Sequence, residues 1–494
     1  MNEHHIQEWL HQASEAYAQG NLAKAGACAN RVYGIDPKNH QALYILGMVA
    51  NAAGRDTLAV TLIRQAIAQY PNHPYYHFHL GSILLGQNRL QPAKESFATA
   101  LLLKPDFCEV HLNLGNIHFS EGLTAEAREC FTRAVTCNPD HATAHYNLAI
   151  LCQEEGHHEE ALPFLDRALH CNPEAPQTHM ARAFSLLMLE RFTEGWEEYE
   201  WRWRLDNLSP RICPKPRWQG EPLQGQSIYI YTEQGFGDAI MASRYLARLR
   251  EQGAQVHFEC KPELYSLFST SRIADKLHAR LPDDDEPPPF DYDWHLPIMS
   301  LPGFFTRTTQ DIPADLPYLK ADPSRLAHWH ARLSTATGLR VGINWSGNPQ
   351  ATANRHRACT LQDLYPLTRI DGVRFISLQK GSPAEQLRFI DKDGRIEDIS
   401  TDLIDFAETA AVLGNLDLLI STDTAVVHLA GALGVPTWTL LHTGAEWRWR
   451  LQHKESPWYP GMRLFRQHTP REWHGVVAEV ARELDRHPLR NRHP

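Results

Sequence analysis

The chain has 494 residues, of which 43% are hydrophobic and 21% charged, with a formal charge of −10. That length suits about three or four domains, that composition excludes global disorder, and the acidic balance speaks against nucleic acid, which calls for clustered positive charge. Nine cysteines without a C-x-x-C pair point to a reducing, cytoplasmic setting, with neither a disulfide framework nor a zinc site.

The first ten residues, MNEHHIQEWL, lack the basic start and apolar run of a signal peptide. Residues 1–208 then repeat themselves. Ala25, Ala59, Ala93, Ala127 and Ala161 are spaced 34 apart, as are Pro37, Pro71, Pro105, Pro139 and Pro173. Gly47, Gly81 and Gly115 hold the same phase. Two antiparallel helices approach closely only where small side chains lie between them, and proline closes the second helix of each unit. The period and pattern match the tetratricopeptide repeat. Five full units run from about 6 to 175. A sixth, starting at Pro176, ends in the aromatic GWEEYEWRWRL (195–205), which reads as a cap. His77, His111, His145 and His179 also recur every 34 residues, too far apart to share a metal whose histidine bonds are ~2 Å long. Seam or surface roles suit them better.

The segment 209–225 holds four prolines and reads as an extended linker. From 226 to 320 strands and helices alternate: a strand at 227–233, a helix over 238–253 and a strand at 255–260. A Pro- and Asp-rich loop at 281–294 interrupts them. A linker around 320–337 leads to a second series over 338–470, with strands at 339–347, 373–381, 417–424 and 437–442. A C-terminal helix and tail occupy 471–494. The nearly charge-free stretch 424–441 contains Pro436 and splits into a helix, a turn and a strand, so no membrane span is expected. Such alternation predicts two Rossmann-like α/β domains with parallel sheets, whose ligands sit beyond the carboxyl ends of the strands.

Three groups of residues lie at those ends. In EQGFGDAI (233–240), Gly235 and Gly237 free the backbone to turn, and Asp238 either caps the following helix or faces a cleft as a general base. In STDTAVVHLAGALGVP (421–436), Asp423 and Thr424 precede a helix whose first N–H groups can hold a phosphate. His428, four residues past Thr424, faces the same side of that helix, as a site residue or as a buried structural histidine. Asn348, Arg355 and Arg357 follow one strand, and Gln379 and Lys380 the next. Each is compatible with a solvated surface, but together they suit a diphosphate. The acidic runs at 283–286 and 291–293 lie in the proline-rich loop and read as solvated. Trp447, Trp449, Trp458 and Tyr459 either stack on a sugar or base or pin the C-terminal helix.

GFGD (235–238), the Asp-Thr-x-x-x-His run at 423–428 and AGALGVP (430–436) resemble the heptosyltransferase-like branch of bacterial glycosyltransferases with the GT-B fold. GWEEYEWRW, YTEQGFGDAI, SLQKG, DTAVVHLAGALGVP and SPWYPGMRLFRQ (456–467) make the whole chain resemble bacterial proteins that fuse tetratricopeptide repeats to such a domain. The resemblance implies an α-solenoid followed by two facing Rossmann-like domains, the first binding an acceptor and the second a nucleotide-sugar donor. It makes Asp238 the catalytic base. It assigns Gly237, Asn348, Arg355, Arg357, Gln379, Lys380, Asp423, Thr424, Ala425 and His428 to the donor side, with the nucleotide sugar as co-substrate and neither metal nor cofactor. Those heptosyltransferases usually carry glycine after the Asp-Thr, whereas this chain has Ala425, which narrows backbone approach and argues against ADP-heptose. The O-linked N-acetylglucosamine transferases are similar in tandem layout, with asparagines gripping a peptide as Asn113 and Asn147 would here. The expectation is metal-independent, inverting transfer of a sugar, most simply to a polypeptide held by the repeats. The alternatives are a repeat scaffold with a non-catalytic nucleotide-sugar-binding domain, or a lipopolysaccharide-core heptosyltransferase.

Overall fold

Small residues at a 34-residue spacing let helices pack in pairs, and six such pairs open the chain: Glu3–Ala18 with Leu22–Ile35, His40–Ala52 with Asp56–Gln69, Pro74–Gly86 with Leu90–Leu103, Cys108–Ser120 with Thr124–Cys137, Ala142–Glu154 with His158–Cys171, and Pro176–Met188 with Phe192–Tyr199. The computed structural model describes residues 3–206, 208, 210–280, 286–334, 337–350 and 354–488, without the side chains of 355 and 356. The periodic glycines face large side chains rather than other small ones. A Cβ at Gly47 would sit 2.7 Å from Ile63 Cγ1 and one at Gly81 2.6 Å from Phe97 Cε1, and one at Gly115 would run into the Phe131 ring. Ile63, Phe97 and Phe131 are fully buried there, so glycine is the socket and its partner the plug.

The recurring histidines are structural. The Nε2 atoms of His77, His111 and His145 bond the carbonyl oxygens of Pro71, Pro105 and Pro139 at 2.7, 2.9 and 2.9 Å. Each ties the start of one repeat to the proline that closed the last. Asn147 donates to Asn116 Oδ1 (2.8 Å).

The chain divides into two compact units, Met1–Leu151 with Pro163–Glu174, and Cys152–Leu162 with Ala175–Pro494. The second contains the sixth helix pair and two parallel sheets. The first sheet is built from β1 (Ser227–Tyr231), β2 (Gln255–Cys260), β3 (Lys276–Ala279) and β4 (Trp294–Pro297), ordered β3-β2-β1-β4. The second comprises β5 (Leu339–Asn344), β6 (Val373–Ser377), β7 (Ile396–Asp398), β8 (Leu418–Thr422), β9 (Thr437–Leu441), β10 (Glu455–Ser456) and β11 (Tyr459–Arg466). Its order is β10-β11-β9-β8-β5-β6-β7, parallel throughout except for β10. Counted from β5 over its six parallel strands, this is the doubly wound order 3-2-1-4-5-6, with the short antiparallel β10 added at the edge, and the first sheet follows it for four strands. In each, the chain reverses its winding beside the first strand, where a crevice opens beyond the strand ends.

Several expected elements change. The helix over 238–253 is three pieces, Phe236–Ala242, a 3₁₀ turn Ser243–Tyr245 and Leu246–Glu251. The linker around 320–337 contains the helix Pro323–Leu333, started by Asp322, whose carboxylate accepts from the N–H groups of Ser324 and Arg325 (both 3.0 Å). It is anchored on the helix Phe406–Leu413, where Trp329 Nε1 donates to Glu408 (2.5 Å). The stretch 424–441 contains the helix Ala425–Ala432 and strand β9, and no helix among the described residues is long and apolar enough to cross a membrane. The C-terminal helix, His474–Asp485, buries Val476, Val477, Val480 and Leu484 against one face of the second sheet with Leu440 and Phe465.

Candidate functional site

The loop after β1 and the loop after β8 each end in a helix, and the two helices meet. Phe236–Ala242 and Ala425–Ala432 touch at their first turns, close enough that a Cβ on Gly237 would lie 2.7 Å from His428 Cδ2 and 3.6 Å from Ala425 Cα. Gly237 is required by this approach. The contact brings Asp238, Asp423, Thr424, Ala425 and His428, far apart in the chain, to one place.

Both carboxylate oxygens of Asp238 are engaged. One oxygen accepts from Gly235 N–H at 3.0 Å, capping its own helix. The other meets the buried guanidinium of Arg448. Arg448 also holds Glu446, and Glu446 lies 3.6 Å from Arg357. Arg357 in turn stands 3.7 Å from the buried Asp423. Alternating charges thus run from the first sheet's loop to the helix start of the second.

His428 is buried, with Nδ1 sharing a 2.9 Å hydrogen bond with Tyr459 Oη and its ring stacked over Trp449. Burial, followed by Arg448, Arg244 and Arg357, pushes its pKa well below the ordinary value. It is therefore a neutral imidazole, and its 3.9 Å separation from Asp423 is a contact rather than an ion pair. Thr424 is the extended residue before the helix Ala425–Ala432, so the N–H groups of Ala425 and Val426 fall outside the helical ladder, while that of Val427 returns to the Thr424 carbonyl at 3.1 Å. Its hydroxyl accepts from Asn344 Nδ2 at 3.1 Å.

The remaining donor-side residues are placed differently. Gln379 is buried, its oxygen accepting from Trp345 and Ser346 N–H (3.0 and 2.8 Å) and its amide donating to the Ser346 and Lys380 carbonyls (2.9 and 3.0 Å). All its capacity is spent holding the loop after β5, which leaves nothing for a nucleotide. Lys380 donates to the Leu403 carbonyl. Asn348 is exposed and turns its oxygen onto Gln350 N–H (3.0 Å). The side chain of Arg355 lies outside the described residues. The buried Asn354 braces the same loop, accepting from Gly347 N–H at 2.9 Å.

The aromatic cluster neither lies open nor pins the C-terminal helix. Trp447 packs edge-on against Trp196 of the sixth helix pair (5.1 Å) and against Trp458 (5.3 Å), while Trp449 backs His428. Of the acidic runs, 283–285 lie outside the described residues. Asp293 braces β1 by accepting from Ser227 N–H and Oγ (2.7 and 2.8 Å). Among the described residues, no three His, Cys, Asp or Glu side chains converge on a metal-sized site.

Sequence reasoning missed Glu233, Arg202, Arg448 and Glu446. Glu233, just past β1, accepts from Arg202 Nη2 (3.1 Å) and Met299 N–H (3.3 Å), while its other oxygen is buried without a partner. Burial lifts its pKa to about 7 despite Arg202. A signal for both arginines was present: the hexapeptide EWRWRL occurs twice, at 200–205 and 446–451.

Tetratricopeptide repeat models match residues 10–74, 57–106 and 106–171, so the helical pairs there are tetratricopeptide repeats. Protein FlbA of Caulobacter vibrioides is 32% identical over 330 residues, 62% of this chain and 54% of that protein. The chain thus spans about half the length of this curated relative. A match of 62% extends beyond the helix pairs, which end at Tyr199, into the sheets. Among solved structures, PilF of Pseudomonas aeruginosa is 19% identical, covering 41% of this chain and 93% of its own, with a TM-score of 0.39. YrrB, described as a TPR protein with an unusual peptide-binding site, is 22% identical, covering 34% and 88%, with a TM-score of 0.30.

Proposed function

We propose that this chain is a glycosyltransferase of GT-B architecture, moving a sugar from a nucleotide-diphosphate donor to a hydroxyl of a polypeptide held by the repeats. The observation that carries the reading is the meeting of the two helix starts at the switch points of two parallel sheets, with a carboxylate on one side and guanidinium, neutral imidazole and free helical N–H groups on the other. Protein binding suits the repeats, whose stacked helices offer extended surfaces to peptides.

In this reading the donor diphosphate lies at Arg357 and the N–H groups around Thr424–Ala425, and takes the place of Glu446 beside Arg357. The acceptor oxygen attacks the anomeric carbon from the face opposite the diphosphate, the bond from that carbon to the diphosphate oxygen breaks, and the configuration inverts. Asp238 takes the acceptor proton through a lone pair that Gly235 and Arg448 leave unused. The leaving diphosphate keeps the bonding electrons, and Arg357 and the helix start stabilise its charge, so the reading calls for neither metal nor cofactor. Nine free thiols suit a cytoplasmic setting.

The test is Asp238→Asn with radiolabelled nucleotide sugars and host lysate. Transfer to protein is expected to fall at least ~10²-fold while calorimetric nucleotide affinity stays within about twofold. Parallel loss of both would make Asp238 a cap alone. A second reading, a repeat scaffold with a nucleotide-binding but non-catalytic sheet half, is favoured by the hold of Arg448 on Asp238. It predicts nucleotide binding without transfer. A lipopolysaccharide-core heptosyltransferase would instead label lipid, and the methyl of Ala425 argues against its donor.

A further inference from the structure

Residues 200–205 and 446–451 both read EWRWRL, and the likeness extends to three dimensions. Each stretch contains a 3₁₀ turn, Glu200–Arg204 and Trp447–Trp449. In each, the first arginine is buried, its side chain 1% exposed in Arg202 and 5% in Arg448. Each lies over a neighbouring tryptophan, Arg202 4.7 Å from the Trp203 ring centre and Arg448 4.2 Å from that of Trp447. Each returns to the glutamate that begins its own hexapeptide, Glu200 at 2.8 Å or Glu446. Each then reaches one carboxylate of a single loop. Arg202 takes Glu233, and Arg448 takes Asp238.

Glu233 and Asp238 are the first and last residues of EQGFGD, the loop after β1 together with the first turn of the helix Phe236–Ala242. Two glycines leave that loop little stiffness of its own, yet Gly237 must sit tightly against His428. We infer that the two EWRWRL turns are a matched pair of clamps, in which Arg202 and Arg448 are positioning residues holding the loop by one carboxylate at each end. The inference rests on the proposed transferase reading for the loop's purpose. It makes the 3₁₀ turn that follows the sixth helix pair a working part of the acceptor side.

Stability does not explain these pairs. Desolvating two charges commonly costs as much as their attraction returns, and the buried, unpartnered oxygen of Glu233 adds to that cost. Arg202 also donates to Ser300 Oγ at 2.8 Å, just past β4, so this clamp joins the two strand ends that flank the first sheet's crevice. The charged and titratable groups acting on Glu233 are Arg202 from the 3₁₀ turn, Asp238 from the loop, Lys261 after β2 and Tyr231 on β1, with Met299 N–H bonding it after β4.

The experiment uses the full chain with Arg202→Gln, Arg202→Lys, Glu233→Gln and the Arg202→Gln/Glu233→Gln pair. Arg202→Gln is expected to lower kcat on the order of 10²-fold, as misplacement of a reacting group does, with nucleotide Kd within about twofold and the acid limb of the rate profile moved to higher pH. Glu233→Gln removes that limb. The double variant recovers at least ~10-fold over Arg202→Gln, because no buried carboxyl is left without its cation. Arg202→Lys keeps the charge without the fork, folds, and falls between. A double variant no better than Arg202→Gln, or an unmoved pH profile, overturns the clamp. If the unaltered chain transfers no sugar, the transferase reading fails separately. The clamp is then read from the infrared band of the Glu233 carboxyl: it titrates near 7 in the unaltered chain, moves higher in Arg202→Gln and vanishes in Glu233→Gln. An unmoved band in Arg202→Gln would sink it.

Discussion

Gly237→Ala tests the central contact with a single methyl group. Its Cβ would stand 2.7 Å from His428 Cδ2 and 3.4 Å from Nε2. The imidazole cannot swing aside, because Tyr459 holds Nδ1 and Trp449 lies against the ring. Restoring ordinary contact at 3.4 Å therefore requires the two helix starts to part by about 0.7 Å. Overpacking of this kind costs ~1–3 kcal/mol, and replacing glycine by alanine within a helix returns about 1 kcal/mol. The net loss is ~0–2 kcal/mol, a fall in Tm of a few degrees at most. Function should suffer more, since moving Asp238 relative to the second sheet by that much lowers transfer on the order of 10²-fold. Thermal unfolding and nucleotide calorimetry on Gly237→Ala and Gly237→Ala/His428→Ala make the assay. Removing the ring should recover part of the lost transfer. Unchanged Tm and unchanged transfer in Gly237→Ala would refute the close approach.

Arg357→Ala, which removes the cation between Asp423 and Glu446, should weaken nucleoside-diphosphate binding by ~1.5–3 kcal/mol, about 10- to 100-fold, in calorimetry while leaving Tm nearly unchanged. Gly115→Ala drives a methyl into the Phe131 ring and should lower the stability of the repeat unit by ~1–3 kcal/mol in chemical denaturation, with Gly115→Ala/Phe131→Leu recovering most of it. His428 is held well below 6.5, and His79, His158 and His295 are pushed down to about 4 by burial. The unfolded chain takes up these protons first, so their contribution is present above pH 6.5 and lost as pH falls from 6.5 towards 4. Denaturant midpoints measured across that window should fall with pH, and His158→Gln should flatten the slope.

The repeats are legible in sequence because every unit solves the same packing problem with the same small residues 34 apart. The finer rule, a glycine beneath an aromatic or isoleucine 16 residues on, is visible once the pair Gly81–Phe97 is seen in space. Parallel strands ending in Gly-, Asp- or Thr-containing turns were also readable. Strand β11 was not, since YPGMRLFR carries proline, glycine and two arginines and lacks the look of a strand. A 3.6-residue period likewise does not distinguish one helix over 238–253 from three short pieces that bend. Strand-end logic named Asp238, Asp423, Thr424 and His428, which the fold brings to one place. It misread Gln379, whose neighbours are the backbone atoms of a loop 33 residues away. It gave no hint of Arg448, 210 residues from the aspartate it holds.

The sixth helix pair belongs to the same compact unit as the sheets, with Arg202 among the strand ends and Trp196 against Trp447. This sets where the chain can be cut or recombined. A truncation at residue 205 removes more than a receptor for partners: it strips Glu233 of its cation, exposes the face of Trp447 and opens the first sheet's crevice. The same unit also takes in Cys152–Leu162 of the fifth pair, where Gln153 donates to Ser185 Oγ at 2.7 Å, so a new array of repeats joined to these sheets has to leave those residues in place.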